Sequence, residues 1–488
     1  MATTKPAGIS CFKVELKHKD TITAALPLQD HYLPLSNLDL LLPPIDVSTF
    51  FCFKPNDSKK PGADSDNNDG RLLLSSFGSK VAHLKTSLAQ ALVMYYPFAG
   101  EISQNSLGEP QLLCNNRGVD FYEMCAHVGL HDLDLHNPDE SIEGKFVPAK
   151  KNGTLAIQVT ELRCGSIIIG CTFDHRIADA YSMNMFLVSW AELAQSKPVS
   201  IKPNFKRSLL NPRRPINCTG HRAIDDLFVT ISSLPPPPQT PPLTVAEHKI
   251  CSRIYVIPAA QLHKLQVTAS SESGMKCTRL VSFSSFLWQL VAKCDSKNGK
   301  DALTTRLGIV VNGRSRMVNV REDANRSRQM MESYFGNVLT IPYGEEKVGR
   351  LSRVGLGRAA QSVAHFLKAG TSKDHFLDLI DWVEVRRPEA ALARVYCAGT
   401  GEESAVVVSC GRGFPAREVD FGWGRAWVGS YHFPWGGQAG YVMPMPSPAG
   451  NGDWVVYMHL RVEQLKVVEE LAGDVFRPLT RDYLDSTV

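Results

Sequence analysis

The first residues to weigh are His175 and Asp179, which close the run His175-Arg176-Ile177-Ala178-Asp179. An imidazole with a reference pKa of about 6.5 can accept a proton at working pH, so it suits general-base chemistry. The spacing alone is weak, because a second copy stands at His221-Arg222-Ala223-Ile224-Asp225. Context separates the two. Before His175, Ile167–Phe173 is apolar and opens on consecutive isoleucines, which reads as a buried strand. After it, Met183, Phe186, Leu187, Trp190 and Ala194 recur at helical spacing. His175 and Asp179 therefore stand at a strand-to-helix junction, where side chains are held firmly and still reach a cleft. The bland alternative is a half-buried structural histidine and an aspartate that N-caps the helix. The second copy lies in a basic, Pro-rich stretch with no apolar strand before it. Nothing is expected to hold its imidazole, and it is read as coincidental.

The elements that must position these residues follow from the rest of the chain. Its 488 residues exceed one ordinary core, so two domains of about 200 residues each are expected. Hydrophobic content of 43% and charged content of 21% are those of a globular protein. A net charge of +4 with scattered Lys and Arg excludes a dedicated nucleic-acid surface. The 12 cysteines form no C-x-x-C pair and no metal-ligand spacing, which points to free thiols in a reducing compartment and to no metal. The first residues hold no apolar targeting core and no run is long enough to span a bilayer, so cytoplasm is the expected location.

Strands are expected at Val47–Lys54, Ile250–Pro258, Thr305–Asn312 and Trp454–Leu460. Helices are expected at Val81–Tyr95, Phe283–Lys293 and Arg350–Lys368. Pro55–Gly70 and the acidic Asp132–Glu143 read as surface loops. The prolines from Pro198 to Pro242, with the run Pro235–Pro238, read as a stiff spacer. The resulting division is 1–197, a crossover at 198–245, and 246–488. Strands and helices alternate on both sides of the crossover, so the class is α/β. Gly355-Leu356-Gly357-Arg358-Ala359-Ala360 lacks the strand and acidic residue of a dinucleotide site, and its glycines read as helix-start residues. No G-x-S-x-G elbow or Walker sequence is present.

Asp420-Phe421-Gly422-Trp423-Gly424, far downstream of His175, resembles a signature of the BAHD family of plant coenzyme A-dependent acyltransferases. Leu84–Gly100, ending in Tyr95-Tyr96-Pro97-Phe98-Ala99-Gly100, is similar to another family segment. So are Asn312-Gly313-Arg314-Ser315-Arg316 and Tyr334-Phe335-Gly336-Asn337, in the family's order. The resemblance covers essentially the whole chain. Pro34–Pro44 and Ser430–Gly437 look most like coniferyl alcohol acyltransferases. One departure is that many relatives carry Ser-Trp shortly before this signature, where this chain has Ser409-Cys410.

The resemblance implies a two-domain, chloramphenicol acetyltransferase-like α/β fold with mixed sheets and a channel between the halves. It implies acyl-CoA as co-substrate, no permanently bound cofactor, a small aromatic alcohol as acceptor, and a monomer. His175 is implied as the base, with Asp179 fixing its loop by pairing with Arg314 or Arg316. Asp420 counts as catalytic by resemblance. Its own surroundings favour a structural part, with Gly422 and Gly424 permitting a sharp turn, Asp420 bonding it and Trp423 packing it. Ser282 and Ser284 are implied CoA contacts at a helix start. Leu35, Ser36, Cys410 and His432 are implied acceptor-pocket residues. Shikimate or quinate, a polyamine or a fatty alcohol are rival acceptors. A catalytically silent binding protein of the same fold is the rival of another class.

Overall fold

The apolar run before His175 forms the strand Ile167–Asp174, every residue of which is buried. Burial on both faces explains why the run is continuously apolar rather than alternating. It pairs antiparallel with Leu155–Leu162 on one side and Asp46–Phe53 on the other. The full order of this six-stranded sheet is Val14–Ile22, Val119–Ala126, Leu155–Leu162, Ile167–Asp174, Asp46–Phe53 and Val428–His432. Only Val119–Ala126 and Leu155–Leu162 run parallel. Gly170 is required inside the central strand, because a Cβ there would stand 2.0 Å from the carbonyl oxygen of Phe146. The computed structural model describes residues 12–55, 76–234, 249–318, 323–397 and 403–486.

Helices Phe77–Met94 and Ala180–Ala194 lie against this sheet and are cross-tied through buried polar tips. The Tyr95 hydroxyl lies 2.8 Å from Ser189 Oγ, and the Trp190 indole N–H donates to Ser87 Oγ at 3.1 Å. Large aromatic rings whose polar ends find partners can be buried at little cost.

A second mixed sheet takes the strands Leu339–Thr340, Thr304–Asn312, Ser404–Ser409, Gly440–Pro446, Trp454–Arg461, Ile250–Ile257 and Arg477–Pro478 in that order. Tyr343–Lys347 also pairs with Thr304–Asn312. Helices Ala259–Ser273, Arg279–Lys297 and Leu356–Ala369 contribute apolar residues to the core of this half. The fold is thus mixed α/β with several sheets, as the sequence leads one to expect.

Three expectations need correction. The crossover is more than a spacer. Between its prolines lie the helix His221–Asp225 and the strand Phe228–Thr230, which pairs with Ala391–Ala393. Leu210, Ile224 and Phe228 are buried in a third core with Trp382 and Ile380, so apolar residues spaced along the segment anchor it. The run Pro235–Pro238 lies outside the described residues, as does nearly all of Pro55–Gly70. The acidic stretch 132–143 is not a free loop either, since Asp139 accepts the Ser252 backbone N–H at 2.6 Å. Finally, Arg350–Lys368 is two helices, Val348–Leu351 and Leu356–Ala369, separated at Gly355, which is extended (φ −66°, ψ 160°) as the second helix's N-cap.

The halves also interleave. Val428–His432 joins the first sheet, and Phe414, Phe421 and Trp423 fill the first core, although the sequence places all of them in 246–488. No helix among the described residues is long and apolar enough to cross a membrane.

Candidate active site

His175 follows the last residue of the central strand and opens a tight turn. Its backbone N–H donates to the Ile45 carbonyl at 3.0 Å, and Ile177 N–H closes the turn on the Asp174 carbonyl at 3.1 Å. Asp174, itself buried, accepts from Arg176 Nε at 2.9 Å and Nη2 at 2.6 Å. That bond holds the Arg176 guanidinium above its ordinary pKa. The pair fastens one rim of the turn and leaves neither charge free. The imidazole is half-buried. Of its two ring nitrogens only Nδ1 is sealed off, buried and without a hydrogen-bond partner. Nε2 is the nitrogen left to meet a substrate.

Asp179 is wholly buried and N-caps the helix Ala180–Ala194, accepting the Ser182 N–H at 2.9 Å. The same carboxylate is gripped by Arg314, with Nη1 to Oδ2 at 2.7 Å and Nη2 to Oδ1 at 3.1 Å. Arg314 is also buried; its remaining donors reach the carbonyls of Tyr334 and Gly336 and the hydroxyl of Ser182. The Tyr181 ring covers its guanidinium at 4.4 Å. A fork of donors matching a carboxylate fixes orientation as well as charge. Of the two candidate arginines, Arg314 is the partner, while Arg316 is exposed at the surface.

Residues that sequence reading left without a role complete the turn. Asn337 donates through Nδ2 to the carbonyls of His175 at 2.9 Å and Arg176 at 3.2 Å. Asp39, with no accessible surface, accepts from Asn337 N at 2.7 Å and Nδ2 at 2.9 Å. Its other oxygen accepts the Ser36 N–H at 2.8 Å and hydroxyl at 2.7 Å. The one hint was a carboxylate and an amide inside largely apolar segments, Leu33–Leu42 and Tyr334–Leu339, with nothing local to pair them. Buried polar groups of this kind must be spoken for.

The Asp420 turn sits elsewhere. Asp420 Oδ1 accepts the N–H groups of Gly422 at 2.8 Å and Gly424 at 3.0 Å. Both glycines have positive φ, 102° and 115°, in a region that side chains avoid. Phe421 packs edge-on to Trp190 at 4.7 Å, Trp423 lies edge-on to Phe53 at 6.1 Å, and the Lys80 ammonium stands over Trp423 at 5.6 Å. The loop is riveted to the first core. Its carboxylate is taken up by its own turn rather than turned toward His175.

Ser282 and Ser284 do not stand at a helix start. The helix is Arg279–Lys297 with Thr278 as N-cap, so both serines lie inside it, and both are completely buried. Ser282 N–H already bonds Thr278 O at 3.0 Å, so no free amide is offered to a phosphate there.

Of the expected acceptor-pocket residues, Leu35 and Ser36 share a cavity whose lining takes in neither Cys410 nor His432. Leu35 and Ser36 line a cavity of about 300 Å³ with Arg207, Arg214, Glu384 and Arg387. Its rim is more charged than the aromatic sequence around it suggests. His432 is buried at the seam of the two sheets, with Nε2 2.5 Å from Glu143 Oε2 and its ring edge-on to Tyr457 at 5.8 Å. Cys410 is exposed. His221, the control copy, is buried rather than loose, and Asp225 accepts from Trp382 Nε1 at 2.7 Å and Arg386 Nη2 at 2.8 Å. That copy packs the third core.

A family model described as "Transferase family" matches residues 12–474. Shikimate O-hydroxycinnamoyltransferase from Nicotiana tabacum is 25% identical over 487 residues, covering 95% of this chain and 100% of that protein. Fatty alcohol:caffeoyl-CoA acyltransferase from Arabidopsis thaliana is 27% identical over 409 residues, covering 81% and 83%. Among solved structures, vinorine synthase superposes with a TM-score of 0.65 at 19% identity, covering 96% of this chain and 99% of that one. The F. graminearum TRI101 complex with Coenzyme A and T-2 mycotoxin superposes at 0.69 and 13% identity, covering 90% and 97%. A His-x-x-x-Asp turn at the end of a buried strand on this fold, with a family match along nearly the full chain, leads to one assignment: the protein belongs to the Transferase family of BAHD acyltransferases.

Proposed function

We propose that the chain moves an acyl group, hydroxycinnamoyl or acetyl, from a CoA thioester to the hydroxyl of a phenylpropanoid alcohol such as coniferyl alcohol, with His175 as general base. The observation that carries this reading is the His175 turn. An imidazole with only Nδ1 sealed sits at the end of a buried strand, in a turn anchored by Ile45, Asn337 and the Asp179–Arg314 bridge. A neutral alcohol is a poor nucleophile. Its oxygen attacks the thioester carbonyl while Nε2 takes its proton, and that proton then passes to the departing CoA sulfur as the tetrahedral intermediate collapses. Asp179, saturated by Arg314 and two backbone amides, holds the turn and does not relay protons. Asp420 braces its own turn. Gly422, Trp423 and Gly424 support it there.

The resemblance of Pro34–Pro44 and Ser430–Gly437 to coniferyl alcohol acyltransferases supports a flat aromatic acceptor, although the rings of Tyr431 and Phe433 are themselves packed in the first core. A specific observation favours a second reading, an acceptor that bears a carboxylate. The cavity beside Leu35 and Ser36 carries Arg207, Arg214 and Arg387; Arg387 is already paired with Glu109 and Arg214 with Glu384, so a carboxylate bound there would share these guanidinium groups. The relative named for shikimate fits that reading. The deciding experiment offers p-coumaroyl-CoA with equal concentrations of coniferyl alcohol, shikimate and spermidine, with products identified by mass spectrometry. Highest kcat/KM for coniferyl alcohol supports the first reading. Highest for shikimate replaces it with the second, and no acyl transfer to any hydroxyl or amine overturns both.

A further inference from the structure

Asn337 and Asp39 belong to different segments, meet at the His175 turn, and are spent entirely inside the protein. Asn337 Nδ2 has two hydrogens and three acceptors around it: Asp39 Oδ1 at 2.9 Å and the carbonyls of His175 and Arg176 at 2.9 and 3.2 Å. Every one of those neighbours can only accept, so the amide nitrogen must face them and the orientation of the amide is settled by chemistry. Asp39 enforces this. Its four accepted bonds come from Ser36 and Asn337, and it makes no ion pair among the described residues. A buried carboxylate is costly; here the charge of nearby Arg207 acts on it, and its bonds reach the backbone of His175 through Asn337. The cost of the arrangement is visible at Asn337 Oδ1, which is buried with no partner.

We propose that Asn337, locked by Asp39, is a positioning residue that holds the His175 peptide where its imidazole can take the acceptor's proton; this rests on the reading of His175 as base. Neither residue touches substrate in this scheme. The clamp grips the carbonyls of His175 and Arg176, whereas the Asp179–Arg314 bridge grips the far end of the same turn. Holding both ends restricts the direction of the His175 side chain, and small misplacements of a catalytic group carry large rate penalties.

The test is steady-state kinetics with p-coumaroyl-CoA and the best acceptor of the panel above, on Asn337→Ala, Asp39→Asn and the double variant. Asn337→Ala should lower kcat by about 10- to 100-fold while KM for the acyl-CoA stays within about twofold. Asp39→Asn keeps the shape but releases the amide's orientation, so it should lower kcat about tenfold. The double variant should be no slower than Asn337→Ala, because Asp39 acts through Asn337. If Asn337→Ala does not fold, Asp39→Asn carries the same kcat-against-KM test alone. A kcat within about threefold of the parent, or losses that multiply in the double variant, overturns the clamp. His175→Ala run beside them separates the failures. An inactive His175→Ala with a fully active Asn337→Ala removes the clamp only, and a fully active His175→Ala removes the base assignment itself.

Discussion

Breaking the bridge between Asp179 and Arg314 should expose what holds the His175 turn. Both side chains are almost sealed from solvent, at 1% and 3% exposure, and their closest approach is 2.7 Å. In Asp179→Asn the N-cap survives, since asparagine caps as well as aspartate. Arg314 keeps its bonds to the Tyr334 and Gly336 carbonyls and to Ser182, but its charge is left buried and uncompensated. In Arg314→Met the carboxylate keeps only the Ser182 and Val338 amides. Removing one member of such a pair costs about 3–5 kcal/mol, while replacing both by neutral groups of similar size costs far less. Each single variant should therefore lose roughly 3–5 kcal/mol in urea denaturation followed by tryptophan fluorescence. D179N/R314M should recover to within about 2 kcal/mol of the parent. Release of CoA thiol, measured on folded protein, should fall by about 100-fold in all three as His175 loses its seat. Single losses below about 1 kcal/mol, or a double variant that shows their sum, would refute the view of the bridge as a buried, mutually dependent pair.

Other expectations follow from particular groups. Burial lowers the pKa of both His375 and His459 to about 4, so the unfolded chain binds more protons than the folded one between that value and an ordinary imidazole's. Stability should fall as pH drops from about 6.5 toward 4, by up to roughly 3 kcal/mol per histidine, and His375→Gln with His459→Gln should flatten that slope in denaturation curves. Asp420→Ala should cost about 1–3 kcal/mol through the two amide bonds of its turn, whereas Asp420→Asn keeps an accepting Oδ1 for both; Gly422→Ala should cost a similar amount through strain, with CoA affinity by calorimetry unchanged in all three. Asp420→Asn that melts like the parent and binds CoA but is inactive would restore a chemical role to Asp420.

The regular elements were legible because their patterns are strong. Thr304–Asn312 and Trp454–Arg461 differ from the sequence expectation by a residue at an end, and the strand before His175 is where its isoleucines put it. Long-range assembly was not legible. Nothing in Val428–His432 says that it completes the sheet of the other half, since its buried pattern would serve either. The start of the helix carrying Ser282 was placed too late because Thr278, its cap, stands before a weakly apolar first turn. At the site, Asp179 was visible as a carboxylate in search of an arginine, with Arg314 and Arg316 both open and the structure choosing Arg314. Asp39 and Asn337 were not, because a hydrogen bond between residues 298 apart leaves no local pattern.

The most direct measurement is kcat for His175→Ala and His221→Ala, side by side, with p-coumaroyl-CoA and the best acceptor, after both are shown to bind CoA like the parent. A general base contributes about 10²- to 10⁴-fold, so His175→Ala should lose that much, while His221→Ala, which changes only a core contact, should stay within about threefold in folded protein. Equal losses in the two variants, or a His175→Ala enzyme that keeps more than about a tenth of parental turnover, would contradict the assignment of His175 as the base.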